Sequence, residues 1–170
     1  DITDQKKRQL ELEAQSRMVS VLQQEGELQP LLEHLLEAAC HAIPAAEKGS
    51  ILLADADGRL HMRATIGYQD ERVIAASFPI QSGYSAKAFR ENRPLVIEDA
   101  RGRDETRYDG EIHEMATVQS AIVAPLLAGG KPIGVLALDN CTQQKAFTDQ
   151  DLQVLTSFAA TAGLLIERTR

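Results

Sequence analysis

Apolar positions along the chain change period several times, and each change marks an element. Leu28, Leu31, Leu32, Leu35, Leu36, Ala39 and Ile43 recur at steps of three and four, the spacing of one helical face. Pro30 suits the first position of that helix, and Pro44 stops it. Residues 50–54, SILLA, form a short apolar run that predicts a strand. The DADG of 55–58 reads as a turn. Beyond it, Leu60, Met62, Ala64 and Ile66 alternate with Arg59, His61, Arg63 and Thr65, which predicts a second strand with one wet face. Together 50–66 make a hairpin. Residues 72–80 read as a weaker strand or an extended connection, 82–93 as a short helix ending before Pro94, and LVIED as a third clear strand. Residues 100–119 are polar and charged without a long apolar pattern. A connection of that length in a compact domain is functional or mobile.

The segment SAIVAPLLAGGKPIGVLALDN, 120–140, contains Gly129-Gly130-Lys131. A phosphate-binding P-loop needs G-x-x-x-x-G-K-[ST] followed by a helix. Here the first Gly is missing, Pro132 stands where the hydroxyl belongs, and a β-rich run follows. The glycines therefore predict a hairpin turn, with Pro132 at a strand start where no ladder donor is lost. The last helix is announced by Thr148 as cap, Asp151 at capping-box spacing, and Phe147 placed to staple to Leu152. Leu152, Leu155, Ala159, Ala162 and Ile166 form one stripe on it. Val154, Phe158, Thr161 and Leu165 form a second. We expect the first stripe to cover the sheet and the second to face a neighbour.

Residues 3–26 are charged and free of Pro, and predict an exposed helix. Leu10, Ala14, Arg17 and Val21 step by four, three and four, a short coiled-coil seam or a plain solvated helix. With the second stripe of the last helix, this seam predicts a parallel homodimer through Leu10, Val21, Val154, Phe158, Thr161 and Leu165. The chain divides into a linker helix, 1–26, and a sensor domain with an output helix, 27–170.

Composition narrows the function. The chain has 170 residues, enough for a core without metal or disulfide. Its 18 basic against 25 acidic side chains give a net charge of −7, which argues against nucleic-acid and anionic-membrane partners. No apolar run approaches the roughly 20 residues of a membrane span. No secretory leader is expected, and the missing initiator Met suggests a piece of a longer protein. Cys40 and Cys141 make neither a disulfide framework nor a zinc pattern. These features point to a reducing cytoplasm.

Four blocks carry a family resemblance: SILLADADGRLHMRATIGY, IQSGYSAKAFRENRPLVIEDA, SAIVAPLLAGGKPIGVLALDN and FTDQDLQVLTSFAATAGLLIE. In this order and spacing, over residues 28–168, the chain resembles a GAF domain. The resemblance implies an α/β (α+β) fold: a central antiparallel sheet of about six strands, terminal helices on one face, and a ligand pocket with short helices on the other. DITDQKK at the start resembles the end of a PAS sensor domain and its linker helix. That implies a bacterial signalling protein with a PAS domain before this segment and an output domain after it.

The family's special chemistries find little support in these residues. Asn140, Phe147 and Asp151 match part of the Asn-Lys…Phe…Asp-Glu motif of cyclic-nucleotide-binding members. Cys141 and Leu152 replace its Lys and Glu, so its Lys–Asp pair cannot form. Cys40-His41 resembles the bilin-anchoring pair of phytochromes but lies in the leucine-striped helix, where Cys40 reads as a small core residue. Haem is likewise not expected. Two cysteines on distant elements do not resemble the clustered thiols of the members that reduce free methionine sulfoxide. His113-Glu114-Met115-Ala116-Thr117 lacks the second His of H-E-x-x-H. Asp104, Asp109, Glu111 and Glu114 fit no calcium loop. His34 and His61 read as surface or boundary residues.

The remaining reading is a non-catalytic sensory module that binds a small molecule of unknown identity. Its rivals are a ligand-free dimerisation spacer and a thiol-dependent redox enzyme. The pocket is expected between the sheet and a lid made of 82–90 and 100–119. Gly83, Tyr84, Ser85, Phe89, Tyr108 and Met115 supply close backbone approach, helix N–H groups and apolar walls. Arg107 and His113 supply charge, and Asp99 and Ser120 orient a polar group.

Overall fold

The computed structural model describes residues 3–13, 28–102, 106–108 and 110–169. Six strands form one sheet in the order β3-β2-β1-β6-β5-β4. They are β1 (Lys48–Ala54), β2 (Arg59–Ile66), β3 (Ser77–Pro79), β4 (Leu95–Ile97), β5 (Ser120–Ala128) and β6 (Lys131–Asn140). Every neighbouring pair is antiparallel. Helix α1 covers 3–13. It is followed by α2 (Leu28–Ala42), α3 (Glu71–Ile74), α4 (Tyr84–Glu91), α5 (His113–Ala116) and α6 (Asp149–Thr169).

Local chemistry accounts for the turns. Asp55 and Arg59 close the β1–β2 hairpin, with Gly58 at φ 75° supplying the left-handed residue. Between β5 and β6, Ala128 pairs with Lys131. Gly129 and Gly130 sit at φ 59° and 82°, the double positive φ of a two-residue hairpin turn. The Gly-Gly-Lys segment is thus a turn between strands. At the start of α6 the Thr148 N–H donates to Asp151 Oδ2 at 3.0 Å, and the Asp151 N–H to Thr148 Oγ1 at 3.1 Å. This is the reciprocal capping box that the spacing predicts. Residues 72–80 divide into α3 and β3, and the polar 100–119 segment contains α5.

Strand alternation sorts the core into two layers. Ile51, Leu53, Ile122, Leu126, Leu136 and Leu138 point to the face covered by α2 and α6. Leu52, Leu60, Met62, Val123, Val135 and Ala137 point the other way, toward α4 and the lid segments. Helix α6 lies in the angle between β5 and α2 and touches both, so both of its apolar stripes turn inward. Val154, Phe158 and Leu165 are buried in the chain's own core, and Thr161 is half-buried. This corrects the expectation that the stripe faces a neighbour: a wide apolar helix face fills a two-sided notch as well as it fills an interface. Leu10 is half-buried and packs on the same core. Val21, Ala14 and Arg17 lie outside the described residues. Gly163 sets the approach of α6 to β5; a Cβ there would stand 2.1 Å from the Leu127 carbonyl oxygen.

Candidate functional site

On the sheet face opposite α2 and α6 lies a cavity of about 380 Å³. Its floor comes from alternate positions of three strands: Ser50 and Leu52 of β1, Leu60 and Met62 of β2, and Asp139 of β6. One wall is β3 with Phe78. Another is the start of α4, with Gly83, Tyr84, Ser85 and Ala86. The roof is the lid segment, through Thr106, Arg107, Tyr108, Ile112 and Met115. Such a volume lies within the range of small-molecule sites.

Asp139 is the chemical centre of the floor. It is 1% exposed. Its Oδ2 accepts from the Tyr68 hydroxyl at 2.7 Å, and its Oδ1 accepts a short hydrogen bond from the Tyr84 hydroxyl. Burial pushes the carboxyl above its ordinary range, against the two hydroxyls and Lys48, which favour the charged form. Burial and the neighbouring carboxylate push both tyrosines upward, so both keep their protons. Lys48 Nζ stands 4.8 Å from the centre of the Tyr68 ring and pairs with Glu114 at 3.0 Å.

Glu114 fastens the lid. Its carboxylate accepts from the backbone N–H groups of Gln69 and Asp70 at 2.8–3.0 Å, besides its bond to Lys48. One side chain of α5 thus joins the lid to the β2–α3 connection and to β1. These partners hold the Glu114 carboxyl below its ordinary value, overcoming the opposing push of burial, the largest single influence. A second tie is the Phe78–Tyr108 pair, edge-on at 6.4 Å. Tyr108 also accepts the Ile112 N–H at 2.9 Å.

Of the residues expected from sequence, Gly83, Tyr84, Ser85, Arg107, Tyr108 and Met115 line the cavity. Four do not. Phe89 lies further along α4 and packs on the core of this face. Asp99 accepts the Arg101 N–H at 3.0 Å within its own turn. His113 is exposed at the start of α5. Ser120 is buried, but its hydroxyl donates to the Gln143 carbonyl and accepts from Ala146, which fixes the β6–α6 connection. Sequence reading missed Asp139, Tyr68, Ser50 and Thr106. The available signal for Asp139 was register: it continues the alternation of Val135 and Ala137.

The two thiols lie on opposite faces of the sheet. Cys40 belongs to the α2 side and packs on that core, where burial pushes it up to about 12. Cys141 packs on the cavity-side core, and burial raises it too, against a hydrogen bond from Thr117. Among the described residues no group of His, Cys, Asp and Glu forms a metal cage. No described helix is long and apolar enough to cross a membrane. Asp104 and Asp109 lie outside the described residues.

No curated protein matches the sequence significantly. Solved structures do. Free methionine-R-sulfoxide reductase from Neisseria meningitidis, solved with its substrate, is 20% identical at TM-score 0.78, with 94% of this chain and 90% of that one covered. The GAF domain of an Acinetobacter phosphoenolpyruvate-protein phosphotransferase is 20% identical at 0.77, with 92% of each covered. Residues 122 to 287 of a methyl-accepting chemotaxis protein are 23% identical at 0.75, with 92% and 96% covered. At such identities the likeness speaks for the fold, and it spans enzymes and signalling proteins alike. The family model described as GAF domain matches residues 25–167, a span that takes in all six strands, the helices α2 to α5 and all but the last two residues of α6, and the chain belongs to the GAF domain family.

Proposed function

We propose that this GAF domain is a non-catalytic sensory module that takes a small molecule into the cavity between sheet and lid. The observation that carries the reading is the cavity itself: about 380 Å³, apolar over most of its floor, with one buried carboxylate held by two tyrosines. That is the make-up of a ligand site, a largely apolar hollow with few placed polar groups. A ligand that prefers the closed lid shifts the lid population. The shift reaches the terminal helices because β6 carries Asp139 on one face and core residues under α6 on the other. Helix α1 joins the relay through Lys7, whose Nζ lies 2.8 Å from Asp151 in the α6 cap. In this reading the chain sits between a PAS domain and an output domain of a cytoplasmic signalling protein. A homodimer would use exposed helix residues such as Leu12 and Leu164 in place of the buried stripe.

The reductase neighbours give the thiol-enzyme alternative its specific support. Two features weigh against it here: the thiols lie on opposite faces of the sheet, and burial raises both above the range where a thiolate forms readily. Native mass spectrometry of the purified chain tests the sensory reading. A co-purified small molecule released on unfolding is the expected result. Turnover of free methionine sulfoxide with a dithiol, lost in Cys141→Ser, would replace sensing by catalysis.

A further inference from the structure

The floor of the cavity offers the ligand acceptors and almost no donors. Both tyrosine protons are spent on Asp139, one on each carboxylate oxygen. What the Tyr68–Asp139–Tyr84 triad still presents is lone pairs: those of the two phenolic oxygens and those left on the carboxylate. Charge points the same way. Lys48 is committed to Glu114, so Asp139 makes no ion pair, and its charged form, which burial disfavours, has only the two hydroxyls as hydrogen-bond partners. A buried carboxylate held only by neutral hydroxyls gains from a cation. Aromatic rings close by favour one as well: Phe78, Tyr84 and Tyr108 line the space, and the Tyr68 ring already has Lys48 Nζ 4.8 Å from its centre. Beside the triad lies Ser50. It lies on the cavity face of β1 and is 5% exposed, and its hydroxyl adds a further acceptor to the same floor.

We propose, on the footing that the cavity is a ligand site, that its ligand is a small organic primary ammonium ion. Its N–H donors rest on the Tyr68–Asp139–Tyr84 triad and Ser50, and its apolar body lies against Leu52, Leu60 and Met62. The competing chemistry is an anion at the mouth, where Arg107 is exposed and the first N–H groups of α4 are without a side-chain cap. Arg107 is in contact with solvent there, whereas Asp139 is sealed from it, so the unmet electrostatic demand is on the floor.

Three compounds of one shape separate these outcomes: benzylammonium, benzyl alcohol and benzoate, titrated into the unchanged 170-residue chain by calorimetry and by amide chemical shifts. Benzylammonium is expected to bind at least tenfold more tightly than either analogue, with shifts at Ser50, Tyr84 and Asp139. Asp139→Asn removes the charge and is expected to abolish that preference; Ser50→Ala, a smaller change, reduces it several-fold. Benzoate binding best, and losing its affinity in Arg107→Ala, overturns the cation assignment and leaves the sensory reading standing. Failure of all three compounds overturns the assignment too. If native mass spectrometry also finds nothing co-purified, the ligand-binding reading falls with it. The three-compound series needs no variant, so a misfolded Asp139→Asn does not rescue the proposal.

Discussion

Gly163→Ala sets two physical effects against each other, and the structure decides the sign. In the middle of a helix, Ala is favoured over Gly by about 1 kcal/mol. On that ground alone the substitution in α6 would stabilise. The added methyl would stand 2.1 Å from the Leu127 carbonyl oxygen, 2.9 Å from its nitrogen and 3.0 Å from its carbonyl carbon. All three are backbone atoms of β5, so no rotamer change relieves the contact. Overpacking costs about 1–3 kcal/mol, and a clash with backbone belongs at the upper end. The net is a loss of about 2 kcal/mol, or about 4–8 °C in Tm for a chain of this size. Helix α6 must lift from the sheet to make room, which also loosens Ala159 and Ile166 on the same face. Urea and thermal unfolding followed by circular dichroism measure the effect. Gln153→Ala is the control: Gln153 is exposed on the same helix, and its loss should stay within about 0.5 kcal/mol. An unchanged or raised Tm in Gly163→Ala would refute the packing argument and leave propensity in charge of this helix.

Three further outcomes are expected. Thr148→Ala removes the acceptor for the Asp151 N–H and should cost about 1 kcal/mol, read from the urea midpoint; an unchanged midpoint would show that Lys7 and Asp151 hold the cap without it. Glu114→Gln keeps the shape but weakens the bonds to Gln69, Asp70 and Lys48, so amide exchange at 106–116 should speed up severalfold while exchange in β5 and β6 stays put. The third concerns pH. Because the folded Asp139 carboxyl sits above its ordinary value, the folded state holds that proton more tightly than the unfolded chain. Its contribution to stability is therefore full below the ordinary carboxylate range and is lost as pH rises through the raised value. The stability difference between the wild type and Asp139→Asn should fall over that window and level off above it. A difference flat from pH 3 to pH 8 would mean that Asp139 titrates as in the unfolded chain.

Much of the fold was legible because it rests on local chemistry. The leucine stripe of α2, the Gly129-Gly130 turn and the Thr148–Asp151 box each depend on residues a few positions apart, and each is in place. The six-stranded architecture came from the order of the four family-like blocks. What stayed illegible depends on tertiary placement. Helical period shows that α6 has two apolar stripes, but not that α2 and β5 cover both. Nearness in sequence put Phe89, Asp99, His113 and Ser120 with the cavity; rotation along α4, a turn, exposure and the β6–α6 connection take them away. Asp139 was hidden for the opposite reason. It ends an apolar strand and looks like the start of a turn, while its place opposite Lys48 turns its side chain inward to meet two tyrosines far from it in sequence.

The two edges of the sheet, β3 and β4, are three residues each, and β3 ends in Pro79, which has no N–H to offer. An edge that short presents few unpaired backbone groups. Copies of this domain crowded together, as in a signalling array or a chain of tandem modules, therefore have little means of zipping strand to strand. Contacts between such neighbours are left to helix surfaces, where a change of a few side chains alters who binds whom without touching the sheet that shapes the cavity. The fold thereby separates the part that can vary its associations from the part that must keep its geometry.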